Sequence, residues 1–338
     1  MTLVWQAMTF GLLLLALAAL LAPYESLAWW AGWFGHTPDA TRPAGSAPPG
    51  QERPDRAEPQ CHVVLLLGIN TVSVNTRSDA EREFISALRE ALPDCEVVDD
   101  VFPYSPFGAP LTGDRLLAWL WRAVSQLGGR FAVGLLRNAV NIRNLMQFLV
   151  STDSRYGPIY NFGVAQVMID ALMRHGYSPG APRPVILLGY SGGAQICVGA
   201  APYMEAAIGR RPSVIALGGV ISADPGLDSL ETLVRLQGGR DRVPGFGALF
   251  FPGLWPVAFY SYWNRALRAG RIRTVVTGRM AHTGKGGYLD REARDVSGRS
   301  HLQTTVALIE EEVRRIADMP VNGRVRERPH LRNENGRH

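Results

Sequence analysis

Short, largely apolar runs with hydrophobic residues on both faces, separated by amphipathic stretches, constrain this chain more than any other feature. HVVLLLG at residues 62–68 is one such run, and CEVVDDVF at 95–102 is the next. Others lie at 184–188, 214–221, 232–237 and 273–277. A strand with no polar face cannot lie on a surface, so each run needs cover on both sides, the environment of a parallel sheet between helical layers. Helices are expected between the runs, at 78–92, 159–175, 194–208 and 302–316. Ser78 followed three residues later by Glu81 supplies a capping box for the first of them. The expected fold class is therefore α/β, a mostly parallel sheet with helices on both faces. The domain is expected to span residues 61–318, and internal repeats are absent.

Two stretches break the alternation. Residues 114–150 read as mostly helical and apolar, with Arg130, Arg137, Asn141 and Asn144 on one side at helical spacing. Residues 243–263, VPGFGALFFPGLWPVAFYSYW, are aromatic and interrupted by Pro244, Pro252 and Pro256, which argues against one straight helix. These segments, taken as 105–155 and 243–268, are either buried helices of a large domain or a cap over an apolar pocket, resting against a bilayer. Residues 151–163 are a connector or part of the pocket rim.

The amino-terminal region is of another kind. Residues 3–22 carry no charge and suffice to cross a hydrocarbon core of roughly 30 Å. A cleaved secretory signal is the competing reading, but the stretch is long for one and no positive charge leads it. Tyr24, Trp29, Trp30, Trp33 and Phe34 follow, as suits a headgroup layer, so residues 1–34 are read as a single-pass anchor with an aromatic interface segment. Residues 35–60 are rich in proline and too polar to fold, hence a linker. Arg42, Arg53 and Arg56 lie beyond the anchor and weakly favour a cytoplasmic domain. Residues 319–338 read as a disordered basic tail.

Of the 338 residues, 46% are hydrophobic and 19% charged, which describes a folded protein. The net charge of +5 does not point to nucleic acid, because much of it sits in the tail and no basic groove or base-stacking motif is visible. Cys61, Cys95 and Cys197 are too few and too unevenly spaced for a disulfide framework or zinc site, so all three are expected to be small buried hydrophobes. TGKGG at 283–287 lacks the spacing of a phosphate-binding loop.

The segment LLGYSGGAQIC, residues 187–197, places Ser191 in a G-x-S-x-G turn between a strand and a helix. A sharp turn of this kind leaves no room for side chains at Gly189 and Gly193, and it raises the serine oxygen above the sheet beside a helix amino terminus. Here the chain resembles the α/β-hydrolase superfamily, over roughly residues 62–316. The resemblance implies a triad in the order Ser, acid, His. Asp241, in the turn after QGGRD, is the acid this order selects, with Asp224 in SADPG as the rival. His282, in the glycine-rich loop after the last strand, is the base, with His301 as competitor; His62 and His175 are regarded as structural. The oxyanion donors implied are the N–H of Gly192 and of Ile69 or Asn70, the latter following Gly68, although Leu67-Gly68 stands where the family usually has His-Gly.

The resemblance implies a serine hydrolase acting through an acyl-enzyme on carboxylic esters or thioesters, and the anchor and the aromatic segments add a membrane location and a lipid-like substrate. Neither a metal nor an organic cofactor is implied. The expected partners are a lipid bilayer and an ester substrate, not nucleic acid. Acyl transfer to an alcohol by the same triad, and a catalytically silent fold that binds a lipid or a protein partner, are the alternatives.

Overall fold

The computed structural model describes residues 58–69, 77–104 and 130–318, with the side chains of 130–139 left aside, and isolated positions between 6 and 31. The expected anchor, most of the linker, Asn70, residues 105–129 and the tail 319–338 therefore lie outside the described residues. Among the described residues no helix is long and apolar enough to cross a membrane.

Six parallel strands form one sheet in the order β2-β1-β3-β4-β5-β6. They are β1 (Cys61–Leu66), β2 (Cys95–Val98), β3 (Val185–Tyr190), β4 (Ser213–Leu217), β5 (Leu233–Gln237) and β6 (Ile272–Val276). Each falls on an apolar run of the sequence. The runs at 95–102 and 214–221 continue beyond their strands, because Val101, Phe102 and Ile221 are buried in loop segments rather than in the sheet. Every residue of β1, β3 and β4 is buried, as strands covered on both faces must be.

Seven α-helices are described: α1 (Asp79–Ala91), α2 (Arg130–Thr152), α3 (Gly157–Arg174), α4 (Gly193–Ile208), α5 (Val243–Phe250), α6 (Tyr262–Arg268) and α7 (His301–Ile316). Ser78 caps α1 by the expected box, accepting from the Glu81 N–H while Glu81 Oε2 accepts from the Ser78 N–H at 2.8 Å. One face of the sheet packs against α3 and α4, joined by Trp263 and Ala266 of α6. The other packs against Phe84, Ile85 and Leu88 of α1 and Leu302, Val306, Ile309 and Val313 of α7.

Two of the three cysteines behave otherwise than expected. Cys61 and Cys95 stand directly opposite each other as the first residues of β1 and β2 and form a disulfide across a sequence separation of 34. The expectation failed because an in-register strand pair brings together residues whose spacing carries no local pattern. Cys197 is the buried small hydrophobe foreseen for it, its thiol pushed up by burial.

Chain order fixes where a site can form. From β1 the chain steps outward to β2, then returns across β1 to β3 and proceeds the opposite way through β4, β5 and β6. The loops leaving β1 and β3 therefore diverge, and a crevice opens between them at the carboxyl edge of the sheet.

Candidate active site

That crevice holds Ser191. β3 ends at Tyr190 and α4 begins at Gly193, so the chain reverses within the pair Ser191-Gly192. The turn forces Ser191 into the left-handed region at φ 54°, a conformation costly for a residue with a β-carbon and met chiefly where function requires it. Bonds from the Ser191 N–H to Leu217 O (2.9 Å) and from the Ala194 N–H to Ser191 O (3.2 Å) hold it there. The flanking glycines follow from steric exclusion. A β-carbon on Gly189 would stand 2.4 Å from Ala194 Cα, and one on Gly193 2.5 Å from Leu66 O.

Ser191 Oγ lies 2.9 Å from His282 Nε2, and His282 Nδ1 lies 2.9 Å from Asp241 Oδ2. Three side chains from three different loops thus form one hydrogen-bonded line. The His282 side chain is 16% exposed and that of Asp241 is fully buried, so the line runs from a solvent-reachable hydroxyl to an enclosed carboxylate. Burial pushes the Asp241 carboxyl up, but hydrogen bonds from His282, Tyr288 and the Val243 N–H together outweigh it and hold the group below its ordinary value. An ionised Asp241 fixes the tautomer with the proton on Nδ1, leaving Nε2 free to accept the serine proton.

Several groups that sequence reasoning did not identify hold this line in place. Tyr288 donates to Asp241 Oδ2 at 2.7 Å while its oxygen accepts from the Gly238 N–H at 2.7 Å, so one phenol ties the acid to the turn that carries it. Tyr190 OH donates to His282 O at 2.7 Å, and the rings of Tyr190 and Tyr288 flank the imidazole with centroids at 5.6 and 6.2 Å. Gly218, at φ 56°, leaves the space they need, since a β-carbon there would lie 2.7 Å from Tyr288 Cε2 and 2.8 Å from Asp241 Oδ2. A hydroxyl at position 288 and a glycine at 218 carry no motif, and only the fold brings them to the site.

The two rivals lie elsewhere in the hydrogen-bond network. His301 opens α7 with its Nδ1 3.0 Å from Gly286 O, where it donates and braces the glycine-rich loop that carries His282. Asp224 caps the short 3-10 turn Pro225–Ser229, accepting from the Gly226 N–H and from Gln195 Nε2, both at 2.8 Å. His62 is buried within the sheet, and His175 is paired with Glu96 and Asp100.

On the opposite side of Ser191 stands the loop after β1. Gly68 meets the serine closely, and a β-carbon there would lie 3.2 Å from Ser191 Cβ. The Ile69 carbonyl accepts from Asn144 Nδ2 of α2 at 2.7 Å, and Leu67 O accepts from Tyr104 OH at 3.1 Å. Gly192 faces this wall, with Ile69 Cγ2, Tyr104 OH and Phe148 Cδ2 3.1, 3.2 and 3.5 Å from where its β-carbon would be. The two interrupting segments of the sequence meet here, as Phe148 of α2 contacts Phe251, next to α5, with ring centroids 6.4 Å apart. Within 151–163, Ser151 and Asn161 bond each other in the interior at 2.7 Å.

The arrangement provides an accessible hydroxyl, a base within proton-transfer distance, a buried carboxylate behind the base, and the amino terminus of a 16-residue helix at Gly192. Ile69 and Phe148 line the space beside Gly192, the residue next to Ser191. No family model matches this chain, and no curated protein matches it.

Proposed function

We propose that the protein is a membrane-tethered serine hydrolase of the α/β-hydrolase type, cleaving carboxylic esters or thioesters with an apolar acyl group. The observation that carries this reading is the unbroken line Ser191 Oγ, His282 Nε2, His282 Nδ1, Asp241 Oδ2, combined with the left-handed backbone at Ser191. Ser191 Oγ attacks the acyl carbon as its proton passes to His282 Nε2. The carbonyl oxygen becomes an oxyanion facing the helix amino terminus, with the N–H of Gly192 and of Ile69 or Asn70 as donors. Collapse breaks the ester bond, and the imidazolium returns its proton to the departing alkoxide or thiolate. Water, deprotonated by the same imidazole, then releases the acid and restores the serine. Asp241 stabilises the imidazolium and does not itself take up the proton.

The apolar acyl group is inferred from Ile69 and Phe148 beside Gly192, with Phe251 against Phe148. The uncharged residues 3–22, read as an anchor, would keep the domain at a membrane. The Cys61–Cys95 disulfide supports placing it on the oxidising side, against the weak cytoplasmic preference of the linker arginines.

The chemistry is tested with a fluorophosphonate probe. Wild-type protein is expected to label on one serine, and Ser191→Ala is expected to abolish labelling and lower ester turnover by about 10⁴-fold or more. Unchanged labelling of the alanine variant would remove Ser191 from the mechanism.

A further inference from the structure

The segment linking β5 to β6 combines features that a purely structural connection does not need. Phe246, Leu249, Phe250, Val257, Phe259 and Tyr260 are all at least half exposed, with Val257, Phe259 and Tyr260 at 76%, 67% and 73%. Their exposure is built into the segment. Trp263 and Ala266 of α6 are sunk in the core, and Asn264 Nδ2 donates to Trp255 O at 2.8 Å and Ala258 O at 2.9 Å. Trp255 Nε1 donates to Ala248 O at 2.6 Å. The backbone is thus tied inward at several points while its aromatic side chains face out.

The segment's own charge is one-sided, and of its two arginines Arg265 meets an acid, Asp228, outside the segment. Residues 243–268 contain no aspartate or glutamate. Arg240, Arg242 and Arg268 stand exposed at its margins without a carboxylate partner among the described residues. An apolar face rimmed by unpaired guanidinium groups suits the boundary where anionic headgroups meet acyl chains. A soluble protein partner able to satisfy these cations would have to bring acids to the rim around an apolar centre, whereas an anionic leaflet presents both at once. If residues 3–22 sit in a bilayer, as their sequence suggests, a tether of 26 residues of this composition would span roughly 30 Å, enough to let this face reach that bilayer.

We propose that residues 243–268 dock on the lipid bilayer, with Phe250, Val257, Phe259 and Tyr260 entering the acyl boundary and Arg240, Arg242 and Arg268 meeting anionic headgroups. The segment begins two residues after Asp241 and touches α2 at Phe148, so docking sets the Ser191 crevice against the membrane surface.

The test uses full-length protein reconstituted into vesicles of phosphatidylcholine, alone or mixed with phosphatidylglycerol. Phe259→Cys carries an environment-sensitive fluorophore, and Val296→Cys, fully exposed on the α1 and α7 side, carries the same label as control. Buried Cys197 does not compete for it. Acyl-chain spin-labelled lipid is expected to quench the label at 259 several-fold more than at 296, most strongly with phosphatidylglycerol, while aqueous iodide quenches 296. A label at 259 as open to iodide as that at 296 overturns the proposal. So does a label shielded from both quenchers, which would mean that another part of this chain, a second copy or a protein partner covers the face.

The functional arm rests on the Ser191 reading. Phe250→Asp combined with Phe259→Asp should keep the rate on a soluble short-chain ester and lose about tenfold or more on an ester embedded in the vesicle. Equal rates of wild type and variant on the embedded ester overturn the proposal, whereas wild type inert toward both esters defeats the Ser191 reading and leaves the quenching result standing.

Discussion

Tyr288 holds the acid end of the hydrogen-bonded line, so its loss should be felt at Ser191 without its touching substrate. In Tyr288→Phe, Asp241 loses one donor and the buried Gly238 N–H loses its acceptor. An unpaired buried N–H costs about 1–3 kcal/mol, and urea unfolding should show a loss of that size. Ester hydrolysis by the variant is expected to fall about tenfold in kcat/KM through poorer orientation of His282. A purely structural role would lower activity equally at every pH. Here the carboxylate has one hydrogen bond fewer to its charged form, takes up its proton at higher pH, and the activity loss should widen toward acid. A loss independent of pH would reduce Tyr288 to packing. Ser191 could be found in the sequence because its turn excludes side chains at both flanking positions and so writes two glycines into the chain. Tyr288 could not, since nothing next to it in sequence reports that its hydroxyl ends beside Asp241.

The carboxyl end of α3 is clipped to β2 and the loop after it by charged groups. His175, just past α3, has Nδ1 2.7 Å from Glu96 Oε1 and Nε2 3.3 Å from Asp100 Oδ1, and Arg174 reaches Asp100 Oδ2 at 2.9 Å. The pairing of His175 with Asp100, chiefly, raises the imidazole above its ordinary 6.5 against desolvation. The same pairing, with Arg174 adding to it, holds the Asp100 carboxyl far below its ordinary 3.8. A raised imidazole contributes its full stabilisation below 6.5 and loses it as pH climbs through the folded value, while a depressed carboxyl contributes above 3.8 and loses it on acidification. Thermal unfolding of His175→Gln should therefore fall furthest behind wild type between these two values and converge with it toward alkaline pH. A gap that widens with rising pH would contradict the clip. At this scale the sequence is a good guide, because both-face burial marks the strands and capping residues such as Ser78 and Ser300 mark helix starts. It fails where apolar residues such as Val101 and Phe102 are buried in loops, since burial alone does not separate a strand from a packed turn.

The disulfide acts on the molecule as a whole, fastening edge strand β2, only four residues long, to β1. Closing a loop across 34 positions is expected to contribute about 3–4 kcal/mol by limiting the unfolded chain, so Cys61→Ser with Cys95→Ser should lose that much in urea unfolding under non-reducing conditions. No loss would mean the bond is not formed in solution. The pairing was illegible in the sequence because it depends on the register of β1 and β2. The common direction of all six strands has a consequence for how the molecule stands. The chain enters β1 at Cys61 at one pole of the sheet, and Ser191, after β3, lies at the other, roughly 20 Å away along the strands. If the proposed anchor holds the domain at a bilayer from the Cys61 pole, the pole carrying Ser191 meets the same bilayer by the domain lying on its flank rather than upright. Residues 243–268 run the length of that flank, leaving the Ser191 pole after β5 and returning to the Cys61 pole before β6.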